Sequence, residues 1–148
     1  MITEAEIQIA QGKWGAGIVF IGEGASWEDS KDRAEAFIKK MYVMDGSLLF
    51  FPTKTCQIQS RPNLEGALSY FVGRNEKYPE DGGFALQPWT AVRFENAGFV
   101  LRDNMALAMG NYFFTDTGGS ETKVEFTFAY VRGGDGELCI QAHHSALP

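Results

Sequence analysis

Histidine and cysteine are scarce in this chain: two of each among 148 residues. The two histidines are neighbours, His143 and His144. A strand sends successive side chains to opposite faces, so the two imidazoles cannot reach one point. A three-imidazole zinc site is therefore excluded. Cys56 and Cys139 form no CxxC pair, which removes zinc-ribbon and thioredoxin-type motifs. A disulfide between them has little support, and their isolation predicts two buried free thiols. Basic charge is also short: 13 Lys and Arg against 19 Asp and Glu give a net charge of −6. Scattered as they are, these cations argue against a nucleic-acid partner. Long apolar runs are missing too. Ile18-Val19-Phe20-Ile21 is far too short to span a bilayer, and the acidic start Met1–Glu6 is not a signal peptide. The chain as given reads as cytoplasmic, with no membrane partner.

Aromatic residues, by contrast, make up 14% of the chain, with twelve Phe. Such a fraction predicts an aromatic-lined interior or subunit interface. The length suits a single domain, residues 1–148.

Residues 3–22 place Ile7, Ile9, Ala10, Trp14, Ile18 and Ile21 at mostly helical spacing behind a capping Thr3–Glu6 pair. Gly12, Gly15 and Gly17 weaken that helix unless they admit a close neighbour. A second helix, capped by Ser26 or Asp29, carries Ala34, Phe37, Ile38, Met41 and Tyr42 as its apolar stripe up to Asp45-Gly46. Leu48–Thr53 reads as a strand closed by a proline. Arg61-Pro62-Asn63 starts a short helix ending near Gly73. Four strand-like runs follow: Phe84–Gly98, Phe99–Thr115, Glu121–Val131 and Glu137–Ser145. Helices first and a meander afterwards predict an α+β fold, with N-terminal helices packed on a curved antiparallel sheet that closes into a cone.

Three segments combine hydroxyl and ring donors with apolar residues: Phe51-Pro52-Thr53-Lys54, Ser69-Tyr70-Phe71 and His143-His144-Ser145. Strand alternation puts His143 and Ser145 on one face. Taken singly, each has an ordinary structural explanation, as turn former, packing residue or satisfied strand histidine. Glu80-Asp81 beside Gly82-Gly83 reads as a wet loop. Ser145 has no GxSxG context. Trp89 is a candidate pocket wall.

As a set, the segments resemble the iota-class carbonic anhydrases. The resemblance rests on Lys-Thr after Phe-Pro, Ser-Tyr-Phe-Val-Gly, Glu-Asp-Gly-Gly-Phe-Ala-Leu-Gln-Pro-Trp-Thr, Met-Gly-Asn-Tyr-Phe-Phe-Thr, Lys-Val-Glu-Phe-Thr-Phe and His-His-Ser, and spans Trp14 to Pro148. That class is similar to the calcium/calmodulin-dependent kinase II association domain, of the cystatin-like or nuclear-transport-factor-2-like fold. Two positions depart from the pattern, Phe51 in place of a lysine and Ala146 in place of a second serine.

The resemblance implies reversible hydration of carbon dioxide to bicarbonate, in a homodimer, with no required metal, manganese or zinc remaining as alternatives. It also implies a catalytic set of Thr53, Tyr70, His143 and Ser145. Thr53, Tyr70 and Ser145 would contact bicarbonate, and Phe84 and Trp89 would wall the pocket. An imidazole's ordinary pKa of about 6.5 makes His143 the expected proton shuttle. The competing expectation is a non-enzymatic association domain of the same fold, whose sheet faces build an assembly.

Overall fold

The computed structural model describes residues 1–148. Helix α1 (Glu4–Gly22) starts as its sequence directs. The Thr3 hydroxyl accepts from the Glu6 amide at 3.2 Å, and the Glu6 carboxylate accepts from the Thr3 amide at 3.2 Å. Ile7, Ala10, Trp14, Ile18 and Ile21 turn inward. Ile9, expected with them, is 58% exposed because the stripe passes it by. The glycines do not break the helix. A Cβ on Gly15 would stand 3.1 Å from the Cβ of Val92, and one on Gly17 would strike the Phe37 ring. Their bareness lets a strand and a second helix press close to α1.

Helix α2 (Trp27–Met41) is capped by Ser26, which accepts from the Asp29 amide at 3.0 Å. It stops earlier than expected. Tyr42 has extended backbone and forms an isolated bridge to Ile140, so its side chain leaves the helical stripe and enters the core. After the three-residue strand β1 (Leu49–Phe51) comes α3 (Leu64–Val72), capped by Asn63 and closed by Gly73 at φ 68°.

The meander is β2 (Trp89–Leu101), β3 (Ala106–Asp116), β4 (Glu121–Arg132) and β5 (Leu138–Ala146). Two boundaries differ from expectation. Phe84–Leu86 forms a short 3₁₀ turn instead of opening a strand, and β2 continues through Gly98 to Leu101. The sheet order is β1-β5-β4-β3-β2. Its four long strands are antiparallel, as expected, but β1 joins the edge of β5 in parallel, with Phe50 opposite His143. Register shifts at Asn96/Gly98 in β2 and Ala129/Tyr130 in β4 mark irregularities of the kind that bend a sheet.

Helices cover one face. Val124, Phe126, Phe128 and Tyr130 of β4 point into it. Trp14 sits among them, 5.4 Å from the Tyr112 ring, 5.8 Å from Phe128 and 5.8 Å from His143, measured between centroids. The thiol expectation is corrected: both cysteines are free, but Cys56 is exposed and Cys139 only partly buried, since each lies in or beside a surface loop or edge. No helix is long and apolar enough to cross a membrane.

Candidate active site

Strand alternation delivers His143 and Ser145 to the inner face, 5% and 4% exposed, and turns His144 outward. The His143 imidazole lies between Phe128, with centroids 4.2 Å apart, and Phe50, stacked nearly parallel at 4.8 Å. Its Nδ1 is 2.9 Å from the Tyr42 hydroxyl, which also accepts from the Trp14 indole N–H at 3.0 Å. Its Nε2 is 3.1 Å from the Tyr112 hydroxyl and 3.2 Å from the Ser145 hydroxyl. Tyr112 and Ser145 are hydrogen-bonded to each other.

Thr53 reaches this cluster from the turn after β1, and Tyr70 from α3. Thr53, Tyr70, Tyr112, His143 and Ser145 share the lining of a small inner chamber whose apolar walls are Trp14, Phe50, Pro52, Phe71 and Phe84. The chamber's volume is about 10 Å³, room for about one water molecule. A larger vestibule of about 450 Å³ lies outside it, with Lys54, Trp89, Asp116 and Thr122 on its walls. Thr53, Tyr70 and Phe84 face both spaces and form the threshold between them. The four expected polar residues are thus brought together. Trp89 stands apart from them: it lines the vestibule only, donating its indole N–H to the Phe84 carbonyl at 3.0 Å.

Burial changes the chemistry expected of His143. Desolvation, with a smaller push from His144, lowers its pKa from 6.5 to about 3. The imidazole is neutral at neutral pH, and the expectation of an ordinary titrating shuttle is corrected for that reason. Burial also raises the pKa of Tyr70, with the Thr53 hydroxyl and the Lys54 backbone pulling partly back, and raises those of Tyr42 and Tyr112. Every phenol here keeps its proton. The inner chamber is therefore polar but uncharged.

A second buried cluster sets the walls. Arg61, fully buried, makes a bidentate ion pair with Asp81 at 2.7 and 2.9 Å and donates to the Gly66 carbonyl at 2.9 Å. Ser69, next to Tyr70, donates to Asp81 at 2.6 Å. Glu80 accepts from three successive amides, Cys56, Gln57 and Ile58, at 2.7–3.0 Å. These bonds hold its pKa down at about 2. The expectation of a wet acidic loop at 80–81 is corrected at Asp81, whose side chain is 1% exposed, while Glu80 stays half-buried at the surface. The two carboxylates tie the loop bearing Thr53 and the helix bearing Tyr70 to one anchor.

Sequence reasoning missed Tyr112 and Tyr42 as members of the cluster. The available signal was the alternation of Tyr112 with Phe114 on an inward strand face, which reads equally well as core. No group of three or more His, Cys, Asp or Glu side chains is placed to hold a metal ion.

The comparisons with known proteins agree on one family. A family model described as metal-independent carbonic anhydrase matches residues 5–147. A metal-independent carbonic anhydrase of Nostoc sp. is 38% identical over 155 residues, covering 99% of this chain and 74% of that protein. The crystal structure of an iota-carbonic anhydrase from a cyanobacterium, complexed with bicarbonate, superposes with a TM-score of 0.96 at 38% identity, over 99% of this chain and 93% of that one. A putative calcium/calmodulin-dependent kinase II association domain from Xanthomonas campestris shares the fold at a TM-score of 0.67 and 19% identity, covering 100% of this chain and 89% of that one. With the match running nearly end to end, this chain belongs to the metal-independent carbonic anhydrase family.

Proposed function

We propose that this protein catalyses the reversible hydration of carbon dioxide to bicarbonate without a metal, at the threshold of Thr53, Tyr70 and Phe84, where a water seated in the inner chamber meets carbon dioxide entering from the vestibule. The observation that carries this reading is that four hydroxyl-bearing residues, Thr53, Tyr70, Tyr112 and Ser145, line one water-sized space behind aromatic walls. The bicarbonate held by the 38% identical cyanobacterial structure supports the same substrate.

A zinc enzyme makes hydroxide by lowering the pKa of a bound water to about 7. Here every chamber group is neutral, so the reaction runs as a concerted relay in which charge develops only partially. The attacking water forms its O–C bond while one of its hydrogens passes to the Ser145 oxygen. Ser145 passes its own hydrogen to a carbon dioxide oxygen, which receives it with the π pair released from that C=O bond. The product is carbonic acid, with Ser145 restored. It ionises to bicarbonate at the vestibule, where water takes the proton. Thr53 and Tyr70 donate to the oxygens on which negative charge grows, and the Phe50, Phe71 and Phe84 rings exclude competing water so that those bonds are strong. His143 acts as a neutral, buried partner of Tyr112 and Ser145.

The protein functions as a homodimer through the outer face of the sheet. Leu49, Phe51, Val100, Leu107 and Met109 are 40–67% exposed there, an apolar surface suited to a second copy. Its free thiols fit a reducing compartment such as the cytoplasm.

The test is stopped-flow carbon dioxide hydration by chelator-stripped protein. Activity is expected in the stripped wild type and its loss in Tyr70→Phe and Thr53→Ala. A stripped protein that is silent, even after manganese or zinc is restored, would refute the reaction; full activity in either variant would refute the roles given to those hydroxyls.

A further inference from the structure

The polarity of the buried hydrogen-bond chain behind the chamber follows from counting its hydrogens. Trp14's indole N–H can only donate, and it points at the Tyr42 oxygen. Tyr42 is 1% exposed, so its own O–H also needs an acceptor. His143 Nδ1, at 2.9 Å, is the one available. A neutral imidazole that accepts at Nδ1 carries its hydrogen on Nε2. That nitrogen lies 3.1 Å from the Tyr112 oxygen and 3.2 Å from the Ser145 oxygen, within reach of both. Nε2 is then a donor, which leaves the Ser145 oxygen as the acceptor for the buried Tyr112 O–H, so Tyr112 donates to Ser145. One hydrogen is then left over, on Ser145, and Ser145 lines the chamber.

We infer that Trp14, Tyr42, His143, Tyr112 and Ser145 form a one-way donor chain, in which Tyr42 is a positioning residue that holds His143 in its Nε2–H tautomer and thereby makes Ser145 a donor toward the substrate oxygen. The opposite tautomer would leave the Tyr42 hydrogen buried without an acceptor. It would also draw the Tyr112 hydrogen back to Nε2, freeing Ser145 to turn its own hydrogen onto Tyr112. The chamber would then face an accepting wall where the reaction needs a donor. This assignment rests on the hydration chemistry proposed above only for its catalytic consequence; the tautomer itself is a property of the folded protein.

The experiment is ¹⁵N NMR of the imidazole at neutral pH, in wild-type protein and in Tyr42→Phe, alongside hydration kinetics. The wild-type spectrum is expected to show His143 Nδ1 as the pyridine-type nitrogen and Nε2 as the pyrrole-type. In Tyr42→Phe the two signals should move toward each other as both tautomers populate, and kcat should fall on the order of a hundredfold with KM little changed. A wild-type spectrum with pyridine-type Nε2 overturns the chain whether or not the variant folds. So does a folded Tyr42→Phe protein that keeps the wild-type tautomer, or one that mixes tautomers at full kcat. An inactive wild type with pyridine-type Nδ1 would refute the reaction while leaving the tautomer assignment standing.

Discussion

Two buried polar clusters flank Tyr70, and they differ in charge. The Arg61–Asp81–Ser69 cluster holds a full ion pair, 0% and 1% exposed at the side chains. The Tyr42–His143–Tyr112–Ser145 cluster is as deeply buried and carries no charge. The difference follows what each must do. Charge fixes geometry well, because a bidentate guanidinium–carboxylate pair has one arrangement. For the proposed reaction a fixed ion in the chamber would be a handicap: a carboxylate would repel bicarbonate, and an imidazolium would hold it too long. Position is set by ions next door, and the proposed chemistry is left to neutral groups.

Breaking the ionic side should have the largest effect on stability. Asp81→Ala strands a buried guanidinium and is expected to cost about 3–5 kcal/mol, read from urea denaturation, with activity falling as Tyr70 and Thr53 lose their shared anchor. Equal stability in this variant would mean the pair is not what holds the walls. Breaking the neutral side should invert the pattern. Ser145→Ala is expected to lower kcat on the order of a hundredfold while costing only about 1–2 kcal/mol of stability.

Acid sharpens the contrast further. His143 binds a proton with pKa about 3 when folded and 6.5 as its unperturbed value, so the unfolded chain holds more protons between these limits. Its contribution to stability should be unchanged above pH 6.5 and fall below it, by up to about 1.4 kcal/mol per pH unit, toward pH 3. Glu80 shifts in the same sense at lower pH: its folded pKa of about 2 against 4.5 stabilises above 4.5 and is lost toward 2. Denaturant midpoints measured from pH 7 to pH 4 would show the decline, and His143→Gln should flatten it between pH 6.5 and 4.5. The smallest effect belongs to the surface. Arg93 pairs with Glu95 and Glu121 in solvent, and Arg93→Ala should leave the denaturant midpoint nearly unchanged in the same assay.

What the sequence disclosed follows the range of the forces involved. The Thr3–Glu6 cap, the start of α2 at Ser26 or Asp29, the start of α3 at Arg61-Pro62-Asn63 and the shared face of His143 and Ser145 are local, and all were readable. Thr53 and Tyr70 were marked by resemblance, because nothing in a Pro-Thr turn or a helical tyrosine announces a cavity. Tyr42 was hidden by its place at the end of an apolar stripe, where one extended residue redirects it. Asp81 was misread because the partner that keeps it dry, Arg61, lies twenty residues away and joins it only in three dimensions. The parallel seat of β1 on β5 was equally silent: three residues carry too little pattern to declare a direction.

If the reaction runs where proposed, the narrow threshold formed by Thr53, Tyr70 and Phe84 also dictates how such a protein can be blocked. Inhibitors that anchor on a cation through a sulfonamide nitrogen find no cluster of metal ligands beyond that doorway. A competitor must instead be flat, a few atoms wide and rich in acceptor oxygens, as nitrate is, to lodge between two hydroxyls and a phenyl ring and collect their hydrogen bonds from the vestibule side.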